Sequence, residues 1–152
     1  MKIAEKIFVA VRIIIGIFLV VSGYEKLISP LQNFLYVVQS YELGNASLEA
    51  LTVQVIPWVE LFLGIFLVLG LWLPLVLRCS WVLVLSFILI VAQALVRKLP
   101  IDECGCFGEL LHIPPKIIVV FDTTLLILTT LLIIFVQKTS RFSLDRYYLN
   151  RK

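Results

Sequence analysis

Four runs of apolar residues, each close to the length that crosses a bilayer, decide most of what this chain can become: residues 7–27, 55–73, 75–96 and 117–136. A helix rises ~1.5 Å per residue and the hydrocarbon core is ~30 Å thick, so about 20 residues span it. Inside lipid the backbone must satisfy its own hydrogen bonds, and runs that do not alternate polar with apolar are not barrel strands; each run is read as a helix. Charged residues make up only 15% of the chain, against about 25% in a soluble domain. So few charges cannot cover a water-facing surface. The expected fold is an all-α integral membrane protein, an antiparallel four-transmembrane-helix bundle over 1–137 followed by a basic tail, 138–152. The first run is long, Arg12 interrupts it and no A-x-A site follows, so it is expected to stay attached rather than act as a cleaved signal.

Basic residues orient the bundle. With the N-terminus on the cytoplasmic side, that side carries eight: Lys2, Lys6, Arg78, Lys138, Arg141, Arg146, Arg151 and Lys152. The outside carries four, Lys26, Arg97, Lys98 and Lys116. The excess places both termini in the cytoplasm. Trp58 then falls near the outer interface, and Trp72 and Trp81 near the inner one. The tail reads as an anchor on anionic lipid. Basic residues gathered at membrane boundaries give no support for nucleic-acid binding.

The outer connection between the first two helices predicts a short amphipathic surface helix over 30–43. Ser29 is its expected N-cap and Pro30 its first residue, and Leu31, Phe34, Leu35 and Val38 fall on one face, with Gly44 as terminator. Asn45-Ala46-Ser47 matches a glycosylation acceptor and carries no weight. The short link through Pro74 makes the second and third helices antiparallel neighbours.

Charge inside a membrane helix is costly and turns to the bundle interior. Arg12, Gly16, Leu19, Gly23 and Lys26 share one face of the first helix, its glycines permitting close approach. Glu60 and Gly64 share a face of the second; Cys79, Ser86, Gln93 and Arg97 are assigned to an inward stripe of the third, and Asp122 and Thr129 to that of the fourth. Glu25, Lys26, Glu60, Gln93, Arg97 and Asp122 all fall within about two turns of the outer surface, a layer ~10 Å deep. A plainer reading pairs Glu60 with Lys26 and Asp122 with Arg97 to fix helix register, and lets Arg12 snorkel.

Over the same end lies the outer loop 97–116, with Cys104-Gly105-Cys106 at its centre. Cysteines at i and i+2 have Cα atoms at most ~7 Å apart, so a disulfide is reachable but strained. Gly105 allows the backbone angles such a ring needs. The ring closes almost no chain entropy, so it contributes little to stability, whereas strained, exposed disulfides are the oxidising, exchangeable ones. Arg97, Lys98 and Lys116 favour a thiolate, and Asp102, Glu103 and Glu109 oppose it. The rival use is a soft ion such as Cu(I) or Hg(II), with His112 as a further ligand; a lone histidine beside Ile113-Pro114-Pro115 is more often an ordinary loop residue. Cys79 reads as an inert core residue.

The stretch ECGCFGE before the last helix, SGYEKLISP at the end of the first, and PWVELFLG in the second resemble the MauE branch of the DoxX-like membrane proteins. The resemblance covers about 7–136. It implies a protein of the bacterial inner membrane, with the cysteine loop in the periplasm, that forms or maintains disulfides in exported proteins alongside thioredoxin-like partners. The plan is also similar to the four-helix quinone-linked thiol oxidases, which use two cysteine pairs. This chain has one outer pair, so a quinone link requires Cys104 and Cys106 to serve both partners.

The leading expectation is a membrane thiol–disulfide oxidoreductase. A partner's thiolate attacks Cys104, Cys106 resolves, Lys26 or Arg97 stabilises the thiolate, and Glu60 or Asp122 shuttles the proton. Gln93 is the candidate contact for a quinone between the helices. Two other classes stay open: a soft-metal binding or transport subunit, and a noncatalytic membrane anchor for a thioredoxin-like protein.

Overall fold

The computed structural model describes residues 3–41, 45–97 and 115–136. Cys104, Cys106, most of the loop that carries them, and the tail lie outside these residues. Five helices occur among the described residues: α1 (Ile3–Ile28), α2 (Leu31–Ser40), α3 (Ala46–Leu69), α4 (Leu73–Val96) and α5 (Pro115–Ile134). Stretches of α1, α3, α4 and α5 are long and apolar enough to cross a membrane: Glu5–Ile28, Glu49–Leu69, Leu73–Val96 and Ile117–Ile134. The chain is a multi-pass, all-α membrane protein with a short non-spanning helix between its first two spans.

Helix α3 starts well before residue 55. Its N-cap is Asn45, whose side chain accepts from the Ser47 backbone N–H at 3.3 Å. Ser47, Glu49 and Gln54 make the opening turns polar, so an apolar count begins too late. The helix ends at Leu69, not 73, because Gly70 adopts a left-handed conformation (φ 71°) and returns its N–H to Phe66 O. Trp72 is also left-handed, with φ 46°, and Pro74 lies in the first turn of α4. These residues form the tight reversal between α3 and α4.

Glycines set the closest helix pair. A Cβ on Gly23 would stand 2.7 Å from both Pro57 O and Leu61 N; one on Gly64 would stand 2.7 Å from Gly16 O and Val20 N. Backbone therefore touches backbone along α1 and α3, as small residues permit in membrane helices. The register is antiparallel, Gly23 lying by Pro57–Leu61 and Gly16 by Gly64–Val68. Aromatic contacts fix α1 against α5 in the same sense: Phe18 meets Phe121 edge-on at 5.5 Å, and Phe8 meets Phe135 at 5.2 Å. Trp81 Nε1 of α4 donates to Thr130 Oγ1 of α5 at 3.0 Å.

Three of the four expected inward stripes are buried: Arg12, Gly16, Leu19, Gly23 and Lys26 on α1; Glu60 and Gly64 on α3; Asp122 and Thr129 on α5. Arg12 is only 1% exposed, so it lies in the bundle and does not snorkel. The stripe on α4 is different. Cys79, Gln93 and Arg97 are exposed, and the inward face is Leu73, Val76, Leu77, Ser80, Leu83, Val84, Val91 and Ala94. Ser86, half-buried, bonds its own helix at Leu83 O, 2.7 Å. Cys79, Ser86 and Gln93 carry no full charge and Arg97 stands at the C-cap, beyond the span, so none is forced inward.

Helix α2 closes one end of the bundle. Its N-cap is Pro30, without a side-chain cap bond; the Ser29 hydroxyl instead donates to Glu25 Oε1 at 3.4 Å. Leu31 is exposed, while Val38 and Tyr41 are buried. Tyr41 and Val37 pack with Val91 and Ala94 of α4 and Ile118 of α5. The amphipathic helix thus lies across the ends of the spans.

Candidate functional site: a buried ionic cluster beneath α2

Lys26 is two residues from the end of α1, yet its side chain is 2% exposed. Its ammonium has three donors, and all three are used: Glu60 Oε1 at 2.6 Å, Glu60 Oε2 at 2.8 Å and Ser22 Oγ at 3.1 Å. Ser22 sits one turn back on α1 and donates to Glu60 Oε2 at 3.1 Å. Ser22, Lys26 and Glu60 therefore form a closed three-membered network between α1 and α3. Gly23 allows it, because the backbones meet beside Glu60: a Cβ at Gly23 would lie 3.1 Å from Glu60 Cβ.

Two rings finish the enclosure. Lys26 Nζ lies 5.4 Å from the centroid of Phe34 on α2 and 5.4 Å from that of Phe87 on α4, within cation–π range. Asp122 of α5 is 6% exposed and within electrostatic range of both Lys26 and Glu60. All five helices thus bring a side chain to or near one ammonium. Removing one member of a buried ion pair costs about 3–5 kcal/mol, because the other is left charged and dry.

Of the expected site residues, the fold brings Lys26, Glu60 and Asp122 together. Asp122 does not pair with Arg97: among the described residues Lys26 and Glu60 are its charged neighbours, and Arg97 is exposed at the C-cap of α4. Gln93 is exposed as well and takes no place in the cluster. Cys104 and Cys106 lie outside the described residues, on the connection that leaves α4 after Arg97 and enters α5 at Pro115. Both attachment points are at the end where Lys26 and Asp122 lie. Ser22, Phe34 and Phe87 also belong to the site. Ser22 had a usable signal, four residues before a lysine on the same face; the two phenylalanines had none among so many apolar neighbours.

A four-helix membrane bundle with a buried ionic cluster at one end, and a Cys-Gly-Cys link at that end, is the class these features define. The chain belongs to the MauE family: the family model for the methylamine utilisation protein MauE matches residues 4–135. No curated protein and no solved structure shows significant similarity to it.

Proposed function

We propose that this MauE-family protein is a membrane thiol–disulfide oxidoreductase working through Cys104 and Cys106. One observation carries the reading: the Cys-Gly-Cys connection is attached to α4 and α5 at the end of the bundle that holds the Lys26–Glu60 cluster. The basic-residue bias supports that end facing the periplasm, where disulfides persist.

In the oxidising direction a partner thiolate attacks Cys104 Sγ. The Cys104–Cys106 bond breaks, and Cys106 leaves as a thiolate and takes a proton. The partner's second thiolate then displaces Cys104, leaving the partner oxidised and the pair reduced. Run in reverse, with Cys106 as the resolving thiol, the same steps reduce a partner disulfide. Arg97, exposed at the start of the connection, suits the role of thiolate stabiliser better than Lys26, whose donors are spent. The electron pair passes to a quinone or to the disulfide of a second partner, which is reduced to two thiols; Gln93, exposed on α4, would meet a quinone from the lipid side. Partners are exported thiol proteins or thioredoxin-like periplasmic proteins.

The test is the redox state of exported proteins in cells carrying C104S/C106S. Accumulation of reduced or mispaired thiols is expected. Unchanged disulfide content overturns the proposal, and Cu(I) or Hg(II) binding lost in the same variant would replace it with a metal-binding role.

A further inference from the structure

We propose that the cluster beneath α2 is a binding site for one proton, and that Asp122 carries it. Within the enclosure stand two carboxyl groups, Glu60 and Asp122, and one ammonium, Lys26, exposed by 0%, 6% and 4%. With both carboxyls ionised the described residues of the cluster hold a net charge of −1 away from water, an unfavourable arrangement for buried groups. One added proton makes it neutral.

The hydrogen bonds say where that proton sits. Glu60 accepts two bonds from Lys26 and one from Ser22, and every one of them favours its ionised form. The three donors of Lys26 are all taken, so it has none left for α5. Asp122 Oδ2 is buried and has no hydrogen-bond partner among the described residues. Of the two carboxyls, Asp122 is the one with a buried oxygen that no donor among the described residues holds in the ionised form.

No other charged group of the described residues compensates. The groups in electrostatic range of Asp122 are Lys26 from α1 and Glu60 from α3. Arg12 lies about 21 Å further along α1 at 1.5 Å per residue. The charges of α4, Arg78 and Arg97, are exposed near its two ends. From α2 comes Tyr41, packed with Ile118, one turn from Asp122. The site stands on this geometry alone and holds whether or not the cysteine pair exchanges disulfides.

Infrared spectroscopy of the full chain in lipid nanodiscs at neutral pH tests it. A D102N/D145N background leaves Asp122 as the sole aspartate, and both replaced residues lie outside the spans. The expected result is a carboxylic-acid C=O band that shifts when aspartate is carboxyl-labelled with ¹³C, stays put when glutamate is labelled, and is lost in D122N. C104S/C106S keeps the band, which separates this site from the redox reading. Should D122N fail to fold, the aspartate label alone decides. Absence of the band, or its shift with labelled glutamate, overturns the proposal. So does a band that appears only when sodium is replaced by choline, since sodium would then be the occupant.

Discussion

Lys26 Nζ lies 2.6 and 2.8 Å from the two carboxylate oxygens of Glu60, joining α1 to α3 by a buried, bidentate ion pair. The pair sits under α2, with Phe34 and Phe87 over the ammonium. Its value to the fold lies in being complete. K26M and E60L are each expected to destabilise the detergent-solubilised protein by about 3–5 kcal/mol, whereas K26M/E60L should lose much less than the sum of the two, because no charge is stranded. Thermal or denaturant unfolding of the four proteins measures the coupling; additive losses would mean that the pair does not act as a unit.

Gly23 is expected to be the least replaceable glycine of α1. A Cβ there meets two backbone atoms of α3 at 2.7 Å, whereas one at Gly16 comes closest, at 2.8 Å, to the side-chain atom Val68 Cγ2 and meets backbone only at 3.0 and 3.1 Å. A side chain can move aside; a helix backbone cannot without parting α1 from α3. G23A should cost about 1–3 kcal/mol, the usual range for overpacking, and G16A less. Unfolding midpoints of the two variants give the order, and G23A is expected to weaken the Lys26–Glu60 pair as well.

Phe34 should govern how firmly α2 is held. It links α2 to the cluster through the Lys26 ammonium at 5.4 Å, a contact of about 0.5–2 kcal/mol. F34A is expected to speed hydrogen exchange across Leu31–Ser40 while leaving the middle of α3 protected. F34Y, which keeps the ring, should retain wild-type protection.

The interhelical bond from Trp81 to Thr130, 3.0 Å long, fixes α4 on α5. T130V and W81F should each cost about 0.6 kcal/mol, the average for such bonds in membrane bundles, and the double variant hardly more than one of them.

How much of this the sequence discloses follows from the cost of what is buried. Full charges in apolar runs have to face inward, so Lys26, Glu60, Asp122 and Arg12 are legible from spacing alone. Cys79, Ser86 and Gln93 are cheap enough to leave on the outside, and a heptad of such residues therefore pointed to the wrong face of α4. The start of α3 was hidden for another reason. A helix that continues alongside α2 has no need to be apolar there, and Asn45 looks like a glycosylation acceptor as easily as a cap. Partner choice within the cluster was half legible: Lys26 with Glu60 follows from their depths, but the separation of Asp122 from Arg97 depends on the rotation of α4, which its uniformly apolar sequence does not encode.

Cysteine accessibility tests most directly whether Cys104 and Cys106 form an outward-facing, exchangeable pair. C79S removes the remaining cysteine of the chain, which is exposed on α4, so that labelling reports the pair alone. Intact cells are treated with a membrane-impermeant maleimide, with and without prior reductant. Labelling only after reduction is the predicted result and supports both the disulfide and its outward orientation. Labelling without reduction would contradict a resting disulfide, and no labelling in either state, with the denatured protein reactive, would contradict the outward orientation.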